Sequence, residues 1–126
     1  MPEGHRTSRV AERLRLELSR VLQTEIRDPR VQGVLLGRIE VTGDLQLATV
    51  GVRMLPPVGK LEVDPHARKQ LLAGLKAASG RLRTLLAGPL GLRRALELRF
   101  EYDEGIEAQD RVEELLHEIA RDATKG

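Results

Sequence analysis

The stretch Leu71–Arg83, LLAGLKAASGRLR, belongs to a longer apolar stripe around which the rest of the chain can be placed. Ala67, Leu71, Leu75, Ala78, Leu82 and Leu85 recur three or four residues apart, which puts them on one face of a helix. The stripe crosses Ala78-Ser79-Gly80 without losing register. Yet a glycine inside a helix costs about 1 kcal/mol relative to alanine. The helix is therefore expected to bend at this point or to restart in the same sense, as a kink and not an end. Lys76, Arg81 and Arg83 cluster around it. Asp64-Pro65 supplies a cap and a first-turn proline at the start of the helix, and Gly88-Pro89 is expected to close it.

Upstream, Val10, Leu14, Leu18, Val21, Leu22 and Ile26 form a second stripe, predicting a first helix over 7–26 capped by Thr7 or Ser8. Asp28-Pro29-Arg30 stops it, since proline disfavours helical geometry in the residue before it. Two strands follow. Over 34–41, Leu35, Ile39 and Val41 are expected on one face, with Arg38 and Glu40 on the other. Over 45–54, Ala48, Val50, Val52 and Met54 alternate inward. The turn chemistry of Thr42-Gly43-Asp44 leaves room only for an antiparallel hairpin. Pro56-Pro57-Val58-Gly59 marks a loop. A third strand is expected over 96–102, where Leu96, Leu98, Phe100 and Tyr102 alternate with charged residues. A last helix is expected over 105–122, carrying Ile106, Val112, Leu115, Leu116 and Ile119 and an acidic outer face. The order α-β-β-α-(kink)-α-β-α describes a single α+β domain over residues 1–126, with helices packed on a three-stranded sheet and flexible ends at 1–6 and 122–126.

Composition narrows the function. The 126 residues contain no cysteine, which excludes disulfides and thiolate metal sites. No secretory leader and no apolar run of membrane-spanning length is evident, so a cytoplasmic protein is expected. The net charge is only +2, but residues 66–99 carry +7 and residues 100–126 carry −6. Such a polar molecule can meet a polyanion with its middle block. Phe100 and Tyr102 are the two aromatic residues, so stacking on single-stranded bases is not expected to be its main mode of contact.

No catalytic signature stands out. His5, His66 and His117 lie in separate elements without metal-ligand spacing. Asp103, Glu104, Glu107 and Asp110 lack the spacing of a calcium loop and suit the start of a helix. Neither a metal nor a cofactor nor a small-molecule substrate is expected, and the chain does not read as an enzyme. The basic block allows two readings. A packing glycine on a solvated basic helix is one. The other is RNA contact, with Gly80 permitting close approach and helix N–H groups after the break facing a phosphate.

Six motifs, in order, resemble the ribosome-binding factor A family: Arg6-Thr7-Ser8-Arg9-Val10, Asp28-Pro29-Arg30, Thr42-Gly43-Asp44-Leu45, Ala78-Ser79-Gly80-Arg81-Leu82-Arg83, Leu92-Arg93, and Glu97-Leu98 with Phe100 and Asp103. The resemblance spans about residues 5–110. Leu96 departs from it, standing where the family usually has proline. It implies a type-II KH-like domain in which an Ala-x-Gly kink, here Ala78-Ser79-Gly80, replaces the usual Gly-x-x-Gly loop. It also implies a non-catalytic factor of ribosome biogenesis that binds the small (30S) subunit and its 16S rRNA. Such a factor assists late maturation of the rRNA 5′ region and matters most in the cold. The RNA-binding surface expected on this basis comprises Ala78, Ser79, Gly80, Lys76, Arg81 and Arg83, with Arg93, Arg94, Arg6, Arg9 and Arg13, on a monomer. The alternative is a protein-interaction adaptor that uses the acidic C-terminal helix.

Overall fold

The computed structural model describes residues 2–104, 112–113 and 115–121. Helix α1 (Pro2–Thr24) leads through a short 3-10 turn at Pro29–Val31 into strands β1 (Leu35–Val41) and β2 (Leu47–Arg53). Helix α2 (Pro65–Leu90) then crosses over to β3 (Glu97–Tyr102). The sheet order is β1-β2-β3, with β1 antiparallel and β3 parallel to β2. A parallel neighbour requires a long crossover, which α2 supplies. Both helices lie on one face of the sheet, α1 against β1 and α2 against β3. Residues 112–113 and 115–121 are helical. The remainder of the helix expected over 105–122, with Ile106 and the tail 122–126, lies outside the described residues.

The core is aliphatic. Leu14, Leu18 and Val21 of α1 meet Leu71, Leu75 and Leu82 of α2 over Ala48, Val50 and Val52 of β2, all at 0% exposure. Each such leucine or valine stabilises the fold by about 1.5–3 kcal/mol through burial. The hairpin, the crossover helix and the third strand therefore form where the apolar alternation predicts. Leu96 is buried too, and β3 begins as the Glu97 N–H donates to Gln46 O at 2.8 Å.

Four local features differ from the sequence expectation. Helix α1 begins at Pro2, so Thr7 and Ser8 lie inside it and Arg6 and Arg9 are helical. Proline has no N–H to leave unpaired in a first turn and suits that start. In β1 the register shifts between Leu36 and Ile39, a bulge. Because side chains alternate, this shift brings Leu36, and not Leu35, to the core beside Ile39 and Val41. The hairpin turn places Leu45 at φ 56°, buried to 7% exposure. Left-handed backbone costs a leucine about 1–2 kcal/mol, and burying its side chain offsets that amount.

The fourth difference concerns α2. It is one continuous helix through Ala78-Ser79-Gly80, and no second N-terminus opens after Gly80. Breaking the helix would put at risk the burial of Leu75, Leu82 and Leu86, which outweighs the cost of one glycine. The helix also runs past Gly88-Pro89 to Leu90. Gly91, at φ 60°, ends it by donating its N–H to Ala87 O at 3.2 Å and Gly88 O at 3.1 Å. The start conforms to expectation: the Asp64 side chain accepts from the His66 N–H at 2.8 Å, with Pro65 in the first turn.

Candidate nucleic-acid interface

Once one face of α2 is committed to the core, the helical period fixes where its charges go. Residues seven apart lie within about 20° of each other around a helix. Lys69, Lys76 and Arg83 therefore form one exposed line about 21 Å long, at 1.5 Å rise per residue. Arg99 from β3 joins Lys76, Leu72, Ser79, Glu97 and Phe100 around a cleft of about 360 Å³. Lys69, Lys76, Arg83 and Arg99 form no ion pair among the described residues.

Gly80 lies on the outer side of α2, and a Cβ built there meets nothing within 4 Å. The space that this glycine leaves free is therefore outside the protein. Ala78 packs toward the core, and the Ser79 hydroxyl donates back to Leu75 O at 3.0 Å. Within the Ala78-Ser79-Gly80 group, Gly80 is thus the exposed member. Gly74 is the packing glycine: a Cβ there would stand 2.9 Å from Val31 Cγ1 and 3.0 Å from Arg30 Cβ.

Arg81 and Arg83 do not cluster. Two residues apart on a helix is about 200° of rotation, and Arg81 turns toward the end of α1, where it lies 3.8 Å from Glu25. A second basic group forms elsewhere. Arg6 of α1 and Arg93 and Arg94, just after α2, surround a concavity of about 540 Å³ together with Asp44 and Gln46 of the hairpin turn. None of the three arginines has an ion pair among the described residues. Asp44 is already engaged: its carboxylate accepts from the Thr42 hydroxyl at 2.6 Å and the Gln46 N–H at 3.2 Å. The Thr42 hydroxyl first, and the Gln46 N–H second, hold it below the usual carboxylate range.

Other basic residues are built into the fold. Arg13 pairs with Glu17 at 3.5 Å yet keeps its side chain exposed, and Arg9 is exposed; neither lines these two concavities. Arg15 donates to Gly37 O at 2.6 Å and Leu36 O at 3.3 Å, tying α1 to the bulge in β1. Arg30 grips Asp28 at 2.6 Å, and Arg68 reaches Glu104 at 3.2 Å while lying 5.0 Å from the Tyr102 ring centre. Lys69 and Arg99 are the additions to the surface anticipated from sequence. The seven-residue spacing of Lys69, Lys76 and Arg83 was available in the sequence. The approach of Arg99 needed the β3–α2 packing. Among the described residues, no group of three or more His, Asp or Glu side chains could hold a metal ion.

The two basic surfaces are suited to phosphate contact, and the fold that carries them is shared with known proteins. A crystal structure of ribosome-binding factor A from Thermus thermophilus superimposes with a TM-score of 0.62 at 21% identity, covering 76% of this chain and 93% of that one. A solution structure of a Thermotoga maritima protein described as a putative ribosome binding factor A gives 0.63 at 32% identity, covering 76% and 85%. A homology model of the Thermus factor, fitted into a cryo-EM map of a 30S complex, gives 0.56 at 22% identity, covering 74% and 90%. Ribosome-binding factor A of Sorangium cellulosum is 53% identical over 121 residues, covering 96% of this chain and 93% of that protein. With residues 6–116 also matching the family model for ribosome-binding factor A, the chain belongs to the ribosome-binding factor A family, with its KH-like fold.

Proposed function

We propose that the protein binds the small ribosomal subunit through its 16S rRNA. It acts as a monomeric, cytoplasmic, non-catalytic assembly factor that assists late maturation of the rRNA 5′ region. The observation that carries this reading is the division of the basic residues. Arg13, Arg15, Arg30, Arg38 and Arg68 are engaged with carboxylates or carbonyls, whereas Lys69, Lys76, Arg83, Arg99, Arg6, Arg93 and Arg94 have no acidic partner among the described residues. Unneutralised cations on a fixed scaffold supply the electrostatic part of RNA affinity by releasing counterions from phosphates. The exposed, side-chain-free Gly80 beside Lys76 and Arg83 admits an RNA backbone close to α2. The fitting of the Thermus factor into a 30S map supports the same partner.

The mechanism requires binding alone. Phosphate and shape contacts to folded RNA favour one conformation of the subunit while processing enzymes act on it. A salt titration against purified small subunits tests the binding step. Affinity that falls steeply as salt rises is expected, and affinity indifferent to salt overturns the reading. Depletion in cells tests the maturation step. Accumulation of 16S rRNA with an unprocessed 5′ end, strongest in the cold, is expected; normal 5′ ends at every temperature overturn it.

A further inference from the structure

Val112, Leu115, Leu116 and Ile119 lie at helical positions i, i+3, i+4 and i+7, and they are 51%, 37%, 59% and 63% exposed. They form one apolar stripe outside the core, and the core itself is complete without them: Leu14, Leu18, Val50, Leu71, Leu75 and Leu82 are each at 0% exposure. An apolar face of this kind marks a contact surface. Its borders are charged in a regular way. Glu113 and Glu118 fall about 110° to either side of the stripe, given 100° per residue. The segment 100–126 as a whole carries −6.

We propose that this helix docks by its apolar face into an apolar groove with a basic rim on a protein of the small subunit. The proposal rests on the small-subunit reading given above. The charges select the occupant. An acidic border repels RNA and anionic lipid alike. A second copy packing stripe to stripe would set Glu113 and Glu118 against the same carboxylates, a like-charge contact that disfavours self-association. A groove bordered by arginine or lysine satisfies both the stripe and its borders. RNA-binding proteins carry such basic surfaces as a class. The molecule thus divides its contacts, with α2 and the Arg6, Arg93 and Arg94 group toward RNA and the acidic helix toward protein.

The test compares two probes, intact small subunits and protein-free 16S rRNA, with the full chain and two double variants: Leu116→Asp with Ile119→Asp, and Glu113→Lys with Glu118→Lys. The Leu116, Ile119 variant is expected to bind subunits about tenfold more weakly, the loss typical of two central interface side chains. The Glu113, Glu118 variant is expected to bind about as weakly, because its new lysines meet a basic rim. Binding to protein-free rRNA is expected not to weaken. Variants that bind subunits like the wild type overturn the docking alone, as do variants that lose equally on both probes. A lowered melting temperature with unchanged subunit affinity identifies docking on the chain's own domain and overturns it. So does a wild-type dimer in light scattering that the variants abolish. Wild-type protein that binds neither probe overturns the small-subunit reading, and the docking with it.

Discussion

Gly74 and Gly80 sit on the same helix under opposite constraints: a Cβ at Gly74 would stand 2.9 Å from Val31 Cγ1, whereas one at Gly80 would meet nothing within 4 Å. Gly74 lets α2 approach the turn at Pro29–Val31. At Gly80 a side chain would meet no other group among the described residues, which leaves that position open to solvent.

Alanine substitution separates the two roles. Gly80→Ala is expected to stabilise the fold by about 1 kcal/mol, the ordinary helix-propensity gain at an exposed site. It is also expected to weaken binding to small subunits, because the added methyl fills the space through which the proposed RNA contact is made. Gly74→Ala is expected to destabilise by about 1–3 kcal/mol through overpacking. Thermal melts check the stabilities. A lower melting temperature for Gly80→Ala would contradict the open space seen there.

The basic line on α2 makes a prediction about salt. Lys76→Ala with Arg83→Ala is expected to reduce the slope of log affinity against log salt by about 2, one for each lost phosphate contact. Arg81→Ala is expected to change it less, since Arg81 faces the other flank and Glu25. The exposed Arg81–Glu25 pair contributes at most about 1 kcal/mol to stability, so the variant should melt near the wild-type temperature. Equal slopes for Arg81→Ala and Arg83→Ala would remove the distinction between the flanks.

Arg15 carries the reverse expectation. Its guanidinium donates to Gly37 O at 2.6 Å and Leu36 O at 3.3 Å, carbonyls at the bulge that shifts the register of β1. Arg15→Ala is expected to cost about 1–2 kcal/mol, a modest value for charged hydrogen bonds near solvent. Its salt slope on subunits should match the wild type. Denaturant unfolding together with the salt titration tells a structural arginine from an RNA-contacting one.

Stability should fall in acid. The Arg30 side chain holds Asp28, and the Thr42 hydroxyl holds Asp44, below the usual carboxylate range. A group whose folded pKa is depressed contributes stability above its unfolded value, about 3.9 for aspartate. That contribution is lost as pH falls through the lower folded value. The melting temperature is expected to be insensitive to these two groups from neutrality to about pH 5, and to drop below about pH 4. In Asp28→Asn with Asp44→Asn the drop should be shallower. An identical acid limb in the variant would show that neither carboxylate matters.

Much of the fold was legible because its signals are local. The spacing of Leu71, Leu75 and Leu82 shows which face of α2 is buried, and the alternation of Ala48, Val50 and Val52 does the same for β2. Asp64-Pro65 marks the start of α2 locally, through the Asp64 side chain accepting from the His66 N–H two residues on. Chain order and the −6 segment after the +7 block likewise need no coordinates. Three-dimensional packing decided the rest. Residues that are distant in sequence made Leu36, and not Leu35, a core residue, through a bulge that Arg15 bonds from another element. Packing also kept α2 whole across Gly80, because the burial of leucines on both sides outweighs one weak helix former. Above all, it sorted the arginines. Charge is visible in a sequence, but whether a carboxylate lies close enough to neutralise it depends on the meeting of elements. Arg68 found Glu104 and Arg81 found Glu25 that way, while Arg83, Arg93 and Arg94 were left facing solvent.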